Sequence, residues 1–404
     1  MRLLSLVSLL PLAGLLLQVT AALSVLGTGL KDKIPNSYIV VLKDTVTEAQ
    51  AQNHTQRISN YHSRRSLRAR ANTVGITNHF DVASTGPGFK GYSVECDSRT
   101  LNQILSSPEV KYVEQEGIAS VQITQKPSTW GLARISWKSL PSSYSYRYQA
   151  SWAGQGTTVY VVDTGIRATH KEFEGRAKFG YNAVAGTANT DKHGHGTHVS
   201  GTAVGKTYGV AKKALVVGVK VLNDEGKGKD SYTIAGLNWV AKYAKPGKSV
   251  VNMSLGGARS QALNDMVEVL YKKGIIVVVA AGNSAEPASS WSPASAKNAI
   301  TVGATDSYDE MAYFSNYGFY IDILAPGVEV LSAWCTSDTA TNIEDGTSMA
   351  SPHVAGLAAY LISSSTAYQS PLTIYNKIVS LSLKDQISFL GPGTVNRLAF
   401  NGWN

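Results

Sequence analysis

From about Thr129 onward the chain carries short, unbroken apolar runs rich in Val and Ile: "TTVYVVDTG", "ALVVGVKVL", "SVVNMSLGG", "GIIVVVAAGN" and "AITVGAT". Unbroken runs suit strands buried on both faces, as in a parallel sheet, whereas a half-exposed sheet alternates apolar and polar positions. Between them, "DSYTIAGLNWVAKYA" and "QALNDMVEVLYKKG" repeat apolar residues at helical spacing. This alternation predicts an α/β fold, a mainly parallel sheet with helices on both faces. Working groups in such sheets gather at the carboxyl ends of strands. Asp163, Ser254 and Asn283 fall at those ends.

The first half has a different pattern. Between Ser37 and about Val121, "SYIVVLKD", "FKGYSVECDS" (after the turn "TGPG") and "VKYVEQEG" read as strands. "VTEAQAQNHTQRISNYH" and "TLNQILS" read as helices. The order predicts a small α+β module of the ferredoxin-like, split βαβ type. Within it, "NHT" makes Asn53 a candidate glycosylation acceptor. The "NMS" at Asn252 lies in a predicted buried strand and is read as a chance match. Ahead of the module, residues 1–21 combine an early cation, an apolar run broken by Pro11 and Gly14, and small residues at Ala21 and Ala22. That is the pattern of a secretory signal peptide cleaved near Ala21. A membrane anchor would need roughly 20 unbroken apolar residues.

Composition adds limits. With 404 residues, 43% hydrophobic and 16% charged, the chain is globular. Its net charge of +9 is read as an aid to solubility, because no nucleic-acid motif accompanies it and its densest cluster, "RRSLRAR", sits on a helix end or loop. No nucleic-acid or membrane partner is expected. The two cysteines, Cys96 and Cys335, fall in different halves, so the mature protein is expected to have no internal disulfide. A bound metal ion is an alternative staple outside cells.

The candidate chemistry lies in "EDGTSMASPHVAGLAAYL". Ser348 opens a helix there, a place where a serine can simply cap, and where backbone N–H groups also favour an oxyanion. His353, five residues on, sits some 140° around that helix and cannot serve as its base. An unactivated serine is a poor nucleophile, so a base must come from elsewhere. "DKHGHGTHVSGTAVG" supplies His193, His195 and His198 in a glycine-rich loop leading into a helix. A zinc site there is disfavoured, since no acid or cysteine stands at ligand spacing. A histidine base needs a carboxylate to set its tautomer, and Asp163 ends an apolar strand in "VVDTGI".

Taken together, "VVDTGI", "HGHGTHVSGT", "NMSLGG", "AAGN" and "GTSMASPHVAG" resemble the signature segments of the subtilase serine proteases, from about Trp130 to the C-terminus. "WGLARIS" and "YFSNYG" resemble the fungal proteinase K branch. The resemblance implies a subtilisin-like fold with Asp163 as orienting acid, His195 as general base and Ser348 as nucleophile. It makes Asn283 the side-chain oxyanion donor, the Ser348 N–H the second donor, and His198 structural. Ser254, Leu255 and Gly256 would line one wall of the primary specificity pocket, Ala281 and Gly282 the facing wall, with Trp291 near its base. Gly226, Lys227 and Gly228 in "DEGKGKD" would pair with extended substrate, and Lys227 and Lys229 would favour acidic residues along it. No cofactor is implied for catalysis. A structural calcium is implied at Asp322, with the carbonyls of Lys297 and Ala299.

By the same likeness the first half is an inhibitory propeptide. The expected domains are 1–21 signal peptide, 22–121 propeptide and 122–404 peptidase, with self-cleavage near Val121 or Gln122. The expected product is a secreted, extracellular, monomeric endopeptidase of broad specificity, preferring apolar or aromatic residues before the cut. Its partners are protein substrates and its own propeptide. The alternative is a catalytically silent secreted binding protein on the same scaffold. A convertase cutting after basic pairs would need an acidic primary pocket, and "SLGG" and "AAGN" supply no acid. Two departures from the family pattern stand out. Asp345 precedes "GTS" where many relatives carry Ser or Asn, and its charge is expected to raise the histidine's pKa or weaken oxyanion binding. Val199 stands where the branch often has a cysteine.

Overall fold

The computed structural model describes residues 23–28, 33–69, 74–82, 89–117 and 122–403. The signal segment 1–21, the turn "TGPG", Arg70 and Val121 lie outside the described residues. The chain divides into two compact units, Met1–Ala119 and Ser120–Asn404.

The first unit runs β1 (Val25–Leu26), β2 (Lys33–Leu42), α1 (Glu48–Ala69), β3 (Gly75–Val82), β4 (Phe89–Glu95), α2 (Ser98–Leu105) and β5 (Val110–Gly117). Its sheet has the order β1-β5-β2-β4-β3, with β2 antiparallel to both neighbours. The register sets Val40 opposite Tyr92 and Val113, and these bury against Ile58 of α1 and Ile104 of α2. This is the ferredoxin-like arrangement. Strand β3 was not expected, because "GITNHFDV" offers too few apolar positions to register as a strand. Asn53 is exposed on α1.

The second unit runs β6 (Gln122–Gln125), α3 (Trp130–Arg134), β7 (Tyr146–Gln149), β8 (Thr158–Asp163), β9 (Ala177–Asn182), α4 (His195–Val204), β10 (Leu215–Lys220), α5 (Asp230–Tyr243), β11 (Ser249–Met253), β12 (Gly257–Ala258) and α6 (Gln261–Lys272). It continues β13 (Ile276–Ala280), β14 (Trp291–Ser292), β15 (Ile300–Thr305), β16 (Ile323–Pro326), β17 (Val330–Ala333), β18 (Thr341–Glu344), α7 (Thr347–Ser364), α8 (Pro371–Leu381), β19 (Leu383–Lys384) and β20 (Arg397–Leu398). The main sheet has the order β19-β20-β16-β15-β13-β11-β8-β10-β9 and is parallel except where β19 meets β20. All five apolar runs became strands of it.

Residues of β8 alternate between two cores. Val159 and Val161 pack with α4 and α7, while Tyr160 and Val162 pack with α5 and α6, so helices cover both faces. Burying such side chains stabilises the unit by about 1.5–3 kcal/mol each. Helices α4 and α7 approach closely because Gly356 faces the Ala203 carbonyl, where an added Cβ would lie 2.6 Å from that oxygen. The first turns of both helices meet the carboxyl edge of the same sheet, His195 at Asp163 of β8 and Ser348 at Ser254 just past β11.

Both cysteines are free and buried, one in each unit. A fully buried Arg134 makes a two-pronged ion pair with Asp309, Nε to Oδ1 at 2.6 Å and Nη2 to Oδ2 at 2.9 Å.

Candidate active site

Asp163 ends β8 with a side chain fully shielded from solvent. Its Oδ1 accepts the Thr164 N–H at 2.7 Å and the His195 Nδ1–H at 2.7 Å. A buried carboxylate needs such partners, because unpaired it would be expensive. The imidazole is one-fifth exposed. Burial lowers the basicity of His195, but the Asp163 charge and hydrogen bond, with Asp191 and Glu344 behind them, outweigh burial and raise its pKa above 6.5.

His195 is the first residue of α4, and the turn before it is tied down by Asp191. The buried Asp191 carboxylate accepts the N–H groups of His193, Gly194 and Thr197, at 3.0, 2.8 and 2.9 Å, and the Thr164 and Thr197 hydroxyls at 2.9 and 2.7 Å. Thr164 Oγ1 in turn accepts the Gly196 N–H at 2.9 Å. Gly194 adopts φ +112 and Gly165 φ +114, conformations that favour glycine. The buried Lys220 completes the anchor by donating to the Thr164 carbonyl at 2.8 Å and to Asp224 at 3.0 Å. His198 is buried deeper in α4, donates Nε2–H to the Val330 carbonyl at 2.9 Å, and is pushed down to about 4 by burial, so it is neutral and structural.

Ser348 lies in the first turn of α7. Its Oγ–H donates to the Ser254 carbonyl at 3.1 Å, and its own carbonyl accepts the Ser254 hydroxyl at 2.7 Å. Pro352 has no N–H to offer that carbonyl, which is why a side chain from β11's end can take it. His353 is turned inward. Its Nδ1–H donates to the Met349 carbonyl at 2.9 Å, and burial pushes it down to about 4.

Asn283 follows β13, exposed at the tip of its loop. Its Oδ1 accepts the Thr347 N–H at 2.9 Å and the Thr347 hydroxyl at 2.7 Å. This fixes the amide with Nδ2 as the free donor beside Gly346, where an added Cβ would stand 3.1 Å from that nitrogen. The loop is braced by buried Asn316, whose Oδ1 accepts the Ser284 and Glu286 N–H groups at 3.0 and 3.1 Å.

Two adjoining cavities open beside these groups. One of about 590 Å³ is lined by His195, Gly226, Lys227, Gly228, Ser254 and Leu255 among others. The second, about 220 Å³, is lined by Leu255, Gly256, Ala281, Gly282 and Trp291, with Asn283 and Ser348 at its edge. Among the described residues, no carboxylate lines the smaller cavity. The larger one carries Glu225 and Asp230 as well as Lys227, so its wall is not of one sign. Lys229 leans over the Tyr232 ring at 5.6 Å instead.

Asp345 is tied to backbone remote in the chain. Its Oδ1 accepts the Glu329 N–H at 2.6 Å, and the carboxylates acting on His195 are Asp163, Asp191 and Glu344. Asn252 is fully buried with its amide hydrogen-bonded inside the core, which removes it as a glycan acceptor. Asp322, Lys297 and Ala299 together line a separate cavity of about 210 Å³. Asp322 Oδ2 accepts the Thr301 N–H at 2.9 Å and Oδ1 the Tyr375 hydroxyl at 3.1 Å.

Comparison with known proteins decides the family. The Subtilase family (Peptidase_S8) matches residues 154–393, and the Peptidase inhibitor I9 family matches residues 37–122. The chain belongs to the subtilase family of serine proteases. It carries an I9 inhibitor propeptide, as a zymogen does. A cuticle-degrading serine protease of Arthrobotrys oligospora is 49% identical over 98% of this chain and 98% of its own length. Subtilisin-like protease 2 of Pseudogymnoascus destructans is 48% identical, covering 93% of this chain and 91% of the relative. Among solved structures, a cold-adapted subtilisin-like serine proteinase superposes with a TM-score of 0.65 at 41% identity, over 68% of this chain and 99% of that one. The subtilase fold is thus shown, and the silent binding protein is not favoured. Asp191, Asn316, Thr347 and Lys220 were missed from sequence, although all four lie inside the segments quoted above. Among the described residues, no helix is long and apolar enough to cross a membrane.

Proposed function

We propose that this subtilase cuts peptide bonds through Asp163, His195 and Ser348, with Asn283 Nδ2 and the Ser348 N–H as oxyanion donors. The observation that carries the proposal is the buried Asp163 to His195 hydrogen bond of 2.7 Å at the rim of an open cleft. Ser348 Oγ attacks the carbonyl carbon while His195 Nε2 takes its proton, and the oxyanion is held by the two donors. His195 then returns the proton to the leaving amine, and water hydrolyses the acyl-enzyme by the same route. For this the Ser348 hydroxyl turns from the Ser254 carbonyl toward His195. Asp163 keeps the proton on Nδ1, leaving Nε2 free to act as base.

The small cavity's neutral, apolar walls at Leu255, Ala281 and Trp291 support a preference for apolar or aromatic residues before the cut, with broad tolerance elsewhere. We further propose domains at 1–21, 22–121 and 122–404, secretion as a monomer, self-cleavage near Val121 or Gln122, and glycosylation at Asn53. For calcium, the donor set fits: a carboxylate at Asp322 whose oxygens each carry a single hydrogen bond, beside the carbonyl-bearing Lys297 and Ala299, offers the hard oxygens that ion prefers. The ion would brace the loop before β15 against β16 and takes no part in catalysis.

The test compares wild type with Ser348→Ala, each expressed alone as the full chain. Wild type should mature and hydrolyse peptides, while the variant should remain an unprocessed, inactive precursor. Equal maturation and hydrolysis by both would end the proposal.

A further inference from the structure

A directional chain of hydrogen bonds runs through the core beneath the nucleophile. Ser351 Oγ–H donates to Asn252 Oδ1 at 2.8 Å, and Asn252 Nδ2–H donates to Ser254 Oγ at 2.9 Å. Ser254 Oγ–H donates to the Ser348 carbonyl at 2.7 Å, and Ser348 Oγ–H returns to the Ser254 carbonyl at 3.1 Å. Asn252 and Ser351 are fully buried, and Ser254 is 3% exposed.

Each link has a reason. Asn252 shares the face of β11 with Val250, which packs in the α7 core, so its amide is aimed at that helix. An amide in such a layer is tolerated only when both ends are satisfied, and here the acceptor end meets Ser351 and the donor end Ser254. Because the Ser254 O–H is committed to the Ser348 carbonyl, Ser254 Oγ can only accept from Asn252, and this orients the amide. Ser348 and Ser351, three apart, lie on one face of the helix. The Ser348 carbonyl is available only because Pro352 has no N–H. A regular helix would close its first turn there with its own hydrogen bond, whereas this one closes it against the strand.

We propose that Asn252 is a positioning residue for Ser348. Acting through Ser254 and Ser351, it docks the first turn of α7 on the end of β11 and so sets where the nucleophilic oxygen and the Ser348 N–H stand. The inference rests on the proposed role of Ser348. Asn252 touches neither substrate nor base, so its loss should act on the chemical step and not on substrate binding.

The experiment measures kcat and KM on a peptide substrate, with melting temperature, for matured wild type, Asn252→Ala, Ser351→Ala and the double variant, with Ser348→Ala alongside. Asn252→Ala should lower kcat by about tenfold with KM within about twofold, the loss expected for one well-placed hydrogen bond. Ser351→Ala, which removes the remote link and is the milder change if Asn252→Ala fails to mature, should lower kcat by about threefold. The double variant should be no worse than Asn252→Ala, because both break one chain. If melting temperature falls while kcat stays within about twofold of wild type in both single variants, the residues are only structural and the inference is overturned. If Ser348→Ala itself retains wild-type hydrolysis, the nucleophile assignment falls first and takes the inference with it.

Discussion

Replacing Gly196 with alanine tests how tightly the acid and base loops must approach. Gly196 follows His195 and packs on the turn after Asp163, where a Cβ would lie 2.2 Å from the Gly165 carbonyl oxygen and 3.1 Å from Thr164 Oγ1. The first of these is backbone, so no side chain can swing aside. To reach even 3.0 Å the two segments must part by about 0.8 Å, and the proposed base His195 lies one residue before Gly196 while the proposed acid Asp163 lies two before Gly165. A misplacement of about 1 Å costs on the order of 10²-fold in rate. Overpacking of this kind costs about 1–3 kcal/mol, or several degrees of melting temperature. Gly196→Ala should therefore lower kcat/KM on a peptide substrate by about 10²-fold and melt a few degrees lower, with active-site titration correcting for unfolded enzyme. Activity within about twofold of wild type would refute the claim that this contact sets the Asp163 to His195 geometry.

Three further outcomes follow from the site. Because the pKa of His195 is raised above 6.5 and the neutral imidazole is the base, the ascending limb of kcat/KM against pH should lie above 6.5. Removing a negative charge that favours the imidazolium lowers that pKa, so Glu344→Gln should move the limb to lower pH, while Asp345→Asn should leave it in place. Asn283→Leu should lower kcat by about 10²–10³ with KM little changed, a magnitude carried over from measurements on subtilisin itself and not worked from this structure. Calcium at about 100 times its dissociation constant should stabilise the protein by about 2.7 kcal/mol, seen as a higher melting temperature that EDTA reverses. Asp322→Ala should abolish that shift, and an equal shift in the variant would place the ion elsewhere.

What could be read from sequence follows the range of the interactions. The five apolar runs became strands because fully buried strands need little beyond continuous apolar residues. Asp163 and His195 were visible because each sits at a strand or helix end. The residues that brace the site were not, since each makes a bond to a partner remote in the chain. Asp191 meets Thr164 across 27 positions, Asn316 meets Ser284 across 32, and Asn252 meets Ser351 across 99. Strand β3 was missed for a different reason, its polar composition, and was recruited by pairing with β4. Sequence proximity to Ser348 also says nothing about where the Asp345 carboxylate points. This one caps the Glu329 N–H, and Glu344 acts on His195 in its place.

In the proposed mechanism Ser348 is made nucleophilic by His195. A serine-directed phosphonate, followed by mapping of the modified peptide, tests it most directly. A single adduct should form on Ser348, faster as pH rises through the His195 limb, and should be lost in His195→Ala. An adduct on another residue, or equal labelling of Ser348 in His195→Ala, would contradict it.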